Sequence, residues 1–406
     1  MQNNFKRSKM KLNHPEIIFV IFALLFGTLI MFITPPSFVC DEPSHFARAK
    51  EVSKGILYNK PLEKMSKTES KSNTYNFHGA SGYSPVMYIF SGMGLKISHN
   101  NYYVGRFFNL IVWIILIAVA IHITPVFKWP FFVAALLPTS IFEGMSYAAD
   151  SFSNAFAFLF FAYIFKLIYG NREFSYKKDL PILYIFCITG ALCKGIIFPL
   201  FLFPLIPIKK HKFLIFISLI ITSLTITFLW SSNNYTLIRD GVSIELNKHY
   251  LLNNPQKYIA KFMHTTVYYF ADWIRGAIGI LYTICLNKLI IYLSAIMLLL
   301  SIILIPVNNK IPTVHRNTAS ITLIIQVFMT CTLMYFMFTP YDSEIIQGIQ
   351  GRYFISAIPL IFIIFGQNIS ILNAKYTDIF KRILTNYIFI ILCYTCFIIQ
   401  NTYKLL

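Results

Sequence analysis

Long apolar runs recur along nearly the whole chain, and no other feature restricts its fold as severely. Runs at about residues 15–35, 104–123, 129–147, 151–169, 212–230, 288–306, 318–338, 353–373 and 384–403 are each about long enough to cross a bilayer. About 20 apolar residues in a helix cover the ~30 Å hydrocarbon core, where backbone groups must pair within their own segment. Such a chain folds as an all-α polytopic membrane protein. Charged residues make up only 13% of the 406 positions, against about 25% in soluble domains. A multidomain soluble protein is thereby excluded.

The net charge of +19 is not spread evenly. Bases gather in short tracts between apolar runs: Lys6–Lys11, Lys128, Arg172–Lys178, Lys209–Lys212, Lys310–Arg316 and Lys375–Arg382. That is the pattern of topology signals and anionic headgroups, so no nucleic-acid partner is expected. The segment 180–208 has bases at both ends and Lys194-Gly195 at its centre. It reads as a shortened hairpin whose tip stops inside the membrane. Counting it so gives eleven crossings with every basic tract cytoplasmic, the N-terminus among them as an uncleaved first span. The chain is then one integral membrane domain over 1–406, with outer loops at 36–103 and 231–285. The first carries juxtamembrane helices and the second a re-entrant or interfacial piece at 263–285. Seven scattered cysteines indicate neither a disulfide framework nor a zinc site.

Residues 40–55, CDEPSHFARAKEVSKG, interrupt the apolar pattern with three acids and three bases. Asp41 suits an N-cap, Glu42 and Pro43 a first turn, and Lys54-Gly55 a stop. Asp41, His45 and Arg48 follow at i, i+4 and i+7, which places them on one face of a short helix. The same outer side collects Glu42, Asp150, Lys194, Asp272, Arg275, Asp342, Glu344 and Arg352. Ionisable groups at membrane depth are costly and point to function. Lys194 has no easy route by which to snorkel, and Arg352 stands outside against the positive-inside bias. Asp272 and Arg275, at i and i+3, suit a mutual pair. Glu42 reads equally as a second acid or a first-turn residue, and Asp342 and Glu344 read as solvated loop acids.

Several local motifs, in order, resemble a bacterial membrane-protein family, the domain of unknown function numbered 2142. They are Asp41-Glu-Pro-x-His-Phe46 with Arg48, Tyr83-Ser-Pro-Val-Met-Tyr88, Arg106-x-x-Asn109, Asp150-Ser151 after Tyr147, Lys194 before Pro199, and Gln350-Gly-Arg-Tyr-Phe354 before Pro359. Asp272-Trp273 matches the family's Gly-Trp-Asp region only loosely. That family resembles the GT-C glycosyltransferases, which take a sugar from a polyprenyl-phosphate carrier outside the membrane. The resemblance implies a GT-C-like bundle in the bacterial inner membrane and an extracytoplasmic site. The enzyme would move a sugar from a polyprenyl-phosphate donor to a lipid-linked or envelope glycan, such as an O-antigen, capsule or wall polysaccharide. Asp41 matches the base of such enzymes and Asp150 a second acid, with Glu42 a further candidate. Lys194 and Arg352 would hold the phosphate, and His45, Arg48, Asp272 and Arg275 would contact substrate. No cofactor is required; a divalent metal bridging Asp41 or Glu42 to the donor is compatible with the residues. Two other readings compete, an O-antigen polymerase or ligase and a transporter or flippase of lipid-linked sugars. The first favours a large outer loop with paired arginines, the second a charged midplane path and an internal repeat.

Overall fold

The computed structural model describes residues 14–58, 79–234, 238–307, 310–367 and 371–404, and within them the fold is helical apart from one two-stranded hairpin. Among the described residues six helices are long and apolar enough to cross a membrane: α1 (Pro15–Ile33), α4 (Tyr102–Ile123), α7 (Ala149–Tyr169), α9 (Lys212–Asn233), α13 (Thr313–Phe338) and α15 (Ala374–Lys404). Shorter elements fill in the remaining runs. They are α5 (Lys128–Ala135) with α6 (Pro138–Gly144), α8 (Asp179–Leu192), α12 (Lys288–Leu304), and α14 (Ile358–Phe365), which continues a 3-10 turn at Gly351–Ala357.

The run at 129–147, expected as one span, is broken in two. Pro138 lacks an N–H and forces Leu137 out of helical geometry (φ −59°, ψ 142°), so α5 stops and α6 restarts with Pro138 in its first turn. The segment at 180–208 does form a hairpin. From α8 the chain turns at Lys194 and Gly195, both with positive φ (54° and 68°), and returns as a 3-10 stretch over Phe198–Leu205. Residues 263–285, expected as a re-entrant or interfacial piece, are regular in structure. They belong to one continuous helix, α11 (Pro255–Ile278), followed by the hairpin β1 (Ile280–Leu281) and β2 (Ile284–Cys285). On α11, Ile259, Met263, Val267 and Phe270 stay exposed at helical spacing, an apolar stripe suited to the lipid interface.

Burial ranks the long helices. The apolar stretch of α7 is 83% buried, against 17% for α9 and 22% for α13, so α7 is the central post and the other two are peripheral. It packs on α4, which also carries α1 and α3 (Ile89–Ile97). A second, smaller core joins α11 to α13 through Tyr258, Trp273, Cys331 and Tyr335. The helix that begins at Asp41, α2 (Glu42–Ser53), ends where the sequence indicates, with Gly55 at φ +83°. It packs on α3 at the end of the bundle where α1 finishes and α4, α7 and the Gly351 turn begin.

Candidate functional site

The first turn of α2 decides what Asp41 is free to do. The Glu42 N–H donates to Val39 O, Pro43 has no N–H, and the Ser44 and His45 N–H groups donate to Asp41 O. No donor is left for a side-chain cap, and the Asp41 carboxylate makes none. The N-cap role expected for that side chain is therefore not taken up. Asp41 sits in the left-handed region (φ 59°), a conformation that Asp tolerates better than most residues. That turns its carboxylate away from the helix and onto Arg352.

Arg352 joins three acids. Its Nη2 donates to Asp41 Oδ2 at 2.9 Å and its Nη1 to Glu143 Oε1 at 3.2 Å, while its Nε lies 3.6 Å from Asp150 Oδ2. Lys194 Nζ donates to Asp150 Oδ1 at 2.7 Å. Three carboxylates thus surround two cations, drawn from α2, α6, α7, the α8 hairpin tip and the Gly351 turn. Four of the five are withdrawn from solvent, with Lys194 24% exposed and the others less, whereas the Asp41 side chain is 58% exposed. Lys194 also lies 5.3 Å from the Tyr83 ring and 5.6 Å from the Tyr353 ring. Burial opposes its charge, and the Asp150 carboxylate beside it offsets that cost.

The other sequence candidates separate into different environments. His45 is buried beside this cluster, with Nδ1 2.7 Å from the Tyr88 hydroxyl and its ring stacked on Tyr83 and Tyr88. Burial pushes its pKa down to about 3, so it is neutral at physiological pH. Arg48 is also buried, and donates to Tyr83 O, Ile56 O, Leu57 O and Glu51. The common face expected for Asp41, His45 and Arg48 is not formed, because the left-handed turn takes Asp41 off the helix. Glu42 is fully buried, with both oxygens on Arg106 at 2.9 and 2.6 Å. Arg106 also donates to the carbonyls of Met31, Thr34 and Pro35, and the Tyr147 N–H donates to Glu42. Asp272 and Arg275 pair with each other, and among the described residues neither forms an ion pair with the cluster.

Glu143 was not among the sequence candidates. Its signal was present, since it is the lone charged residue between Lys128 and Asp150. Tyr83 and Tyr353 likewise enter as walls of the site. Among the described residues no group of three or more His, Cys, Asp or Glu side chains is arranged to hold a metal ion. With both of its oxygens on Arg106, Glu42 is not free to bridge a divalent ion to the donor, whereas the Asp41 carboxylate is largely exposed.

A helical fold with several membrane-length apolar helices and an ionic cluster at one end defines a multi-pass membrane protein. The chain belongs to the family described as predicted membrane protein (DUF2142), whose model matches residues 56–361. Asp150, Lys194 and Arg352 fall inside the matched stretch, and Asp41 lies just before it. No curated protein and no solved structure matches the chain.

Proposed function

We propose that the chain is an inverting glycosyltransferase of the bacterial inner membrane, with a GT-C-like arrangement of about eleven crossings. It would move a sugar from a polyprenyl-phosphate donor to an envelope glycan on the extracytoplasmic side. The observation that carries this reading is the release of Asp41 from capping. It is the one exposed carboxylate of a cluster that also holds two cations. The acceptor hydroxyl attacks the anomeric carbon as the bond from that carbon to the phosphate oxygen breaks. The hydroxyl proton goes to Asp41, the polyprenyl phosphate leaves, and Arg352 and Lys194 meet its growing charge. A base on the face opposite the leaving group gives inversion. Glu143 and Asp150 keep the two cations charged and in place before the donor arrives. The basic tracts lie by the opposite ends of the same helices, which supports an outward-facing cluster.

The test is transfer in membranes from radiolabelled polyprenyl-phosphate sugars to endogenous glycan, wild type against Asp41→Asn at matched expression. Loss of about 100-fold or more fits removal of a general base. Unchanged transfer would remove Asp41 from that role. Well-folded wild type that transfers from no donor would overturn the enzyme reading and favour movement of lipid-linked sugars.

A further inference from the structure

A cavity of about 450 Å³ that shares no lining residue with the ionic cluster lies between α11, α10 (Ile244–Asn253) and the loop 339–350. Its volume lies within the roughly 300–1,000 Å³ of small-ligand pockets. From α11 it takes Lys257, Lys261 and His264, and from the loop Tyr341, Asp342 and Glu344. Lys261 fixes the two walls to each other. It is buried, donates to Tyr341 O at 2.9 Å, and lies 4.7 Å from the Tyr250 ring and 5.0 Å from the Tyr335 ring. Four residues on, Thr265 Oγ1 accepts from the Ile346 N–H at 2.9 Å.

Two lysines face two carboxylates here, so the lining is balanced in charge, unlike a phosphate site. Donors, acceptors and tyrosine faces together suit a neutral, polyhydroxylated ring. Both walls also lead to the ionic cluster. The loop runs directly into Gly351-Arg352, and Gly276 of α11 meets Gly351 so closely that a Cβ on Gly276 would lie 2.9 Å from Gly351 Cα. Twelve residues of helix separate His264 from Gly276, about 18 Å at 1.5 Å per residue. A single sugar cannot bridge that distance, but a chain of several can.

We propose that this cavity is a distal subsite for a glycan chain whose reacting end lies at Asp41. The inference rests on the glycosyltransferase reading and names the acceptor as an extended glycan. Contacts remote from the reacting bond hold the chain and supply binding energy there.

The probe is oligosaccharide released by mild acid from the envelope polysaccharide of the producing cell, end-labelled and sized as mono- and octasaccharide fractions. Binding to the full chain in nanodiscs is read by equilibrium dialysis, with no donor present. The octasaccharide is expected to bind about ten-fold or more tightly than the monosaccharide. Lys257→Ala and Glu344→Gln alter exposed side chains, so both variants are expected to fold, and together they should erase that length advantage. Equal binding of both sizes, or an advantage that survives the double variant, would overturn the subsite. So would loss of the advantage when the nanodisc is loaded with anionic lipid, since the lining would then serve headgroups. Binding that behaves as expected while wild type transfers no sugar would overturn the enzyme reading alone.

Discussion

Asp41 and Glu42 are neighbours in the chain with the same charge, and the fold gives them opposite surroundings. Glu42 is fully enclosed, and Arg106, which holds both its oxygens, also ties down three carbonyls at the end of α1. Asp41 is largely exposed and shares its arginine with two other acids. One pair is a brace in which every acceptor is committed; the other belongs to a cluster with its rim open. The difference originates in the turn before α2, where Pro43 and the Val39 carbonyl leave no amide for Asp41 to cap. Charge and position in sequence are therefore poor guides to which acid is chemically available. Hydrogen-bond saturation is a better one.

The sharpest way to break this contrast is Glu42→Gln, which leaves the Arg106 guanidinium buried without its counter-charge. Removing one partner of a buried pair costs about 3–5 kcal/mol. The expected result is a large fall in melting temperature or yield in detergent, compared with wild type by size-exclusion thermal challenge. A variant as stable as wild type would remove the brace interpretation.

Asp41→Asn is expected to do the reverse. Asn tolerates the left-handed backbone as well as Asp does, and the buried Arg352 keeps Glu143 and Asp150 as counter-charges when the largely exposed Asp41 loses its own. Stability should hold while transfer falls about 100-fold or more, a barrier change near 2.7 kcal/mol. Equal losses of stability in the two variants would erase the distinction between brace and cluster.

Much of this arrangement was legible in the sequence, and the failures have a common physical origin. The limits of α2, the hairpin with Lys194 at its tip and the Asp272–Arg275 pair all follow from local rules of capping, charge and spacing. What was not legible depends on partners far along the chain. Arg106 reaches Glu42 across 64 positions, and Arg352 reaches Asp41 across 311. No local rule connects such residues. Glu143 was missed because the apolar run around it read as an ordinary span, although a lone acid at that depth is itself a signal.

Arg352→Lys sharpens the comparison from the cluster side. Arg352 uses three different nitrogens on three carboxylates, a fork that a single ammonium cannot reproduce. Glu143, almost wholly buried, would then lose its donor, at a cost of about 1–3 kcal/mol. Transfer is expected to fall by about ten-fold or more through misplacement of the cluster, despite the retained charge. Activity equal to wild type in the lysine variant would mean that charge alone matters at this position.

The smallest expected effect concerns His45, the buried ring between Tyr83 and Tyr88 that borders the cluster. Its pKa falls from an ordinary value near 6.5 to about 3 because burial disfavours the imidazolium. Between those two values the unfolded chain binds one proton more than the folded chain, so stability is complete above about pH 6.5 and is lost as pH falls toward 3. The slope for this single group is about 1.4 kcal/mol per pH unit. His45→Gln keeps a polar group facing the Tyr88 hydroxyl and carries no titratable proton. It should flatten the acid limb of melting temperature against pH in detergent while leaving the neutral plateau close to wild type. If the acid limb keeps its full slope in that variant, the sensitivity belongs to the carboxylates of the cluster rather than to His45. The boundary between the cluster and its aromatic wall would then lie elsewhere.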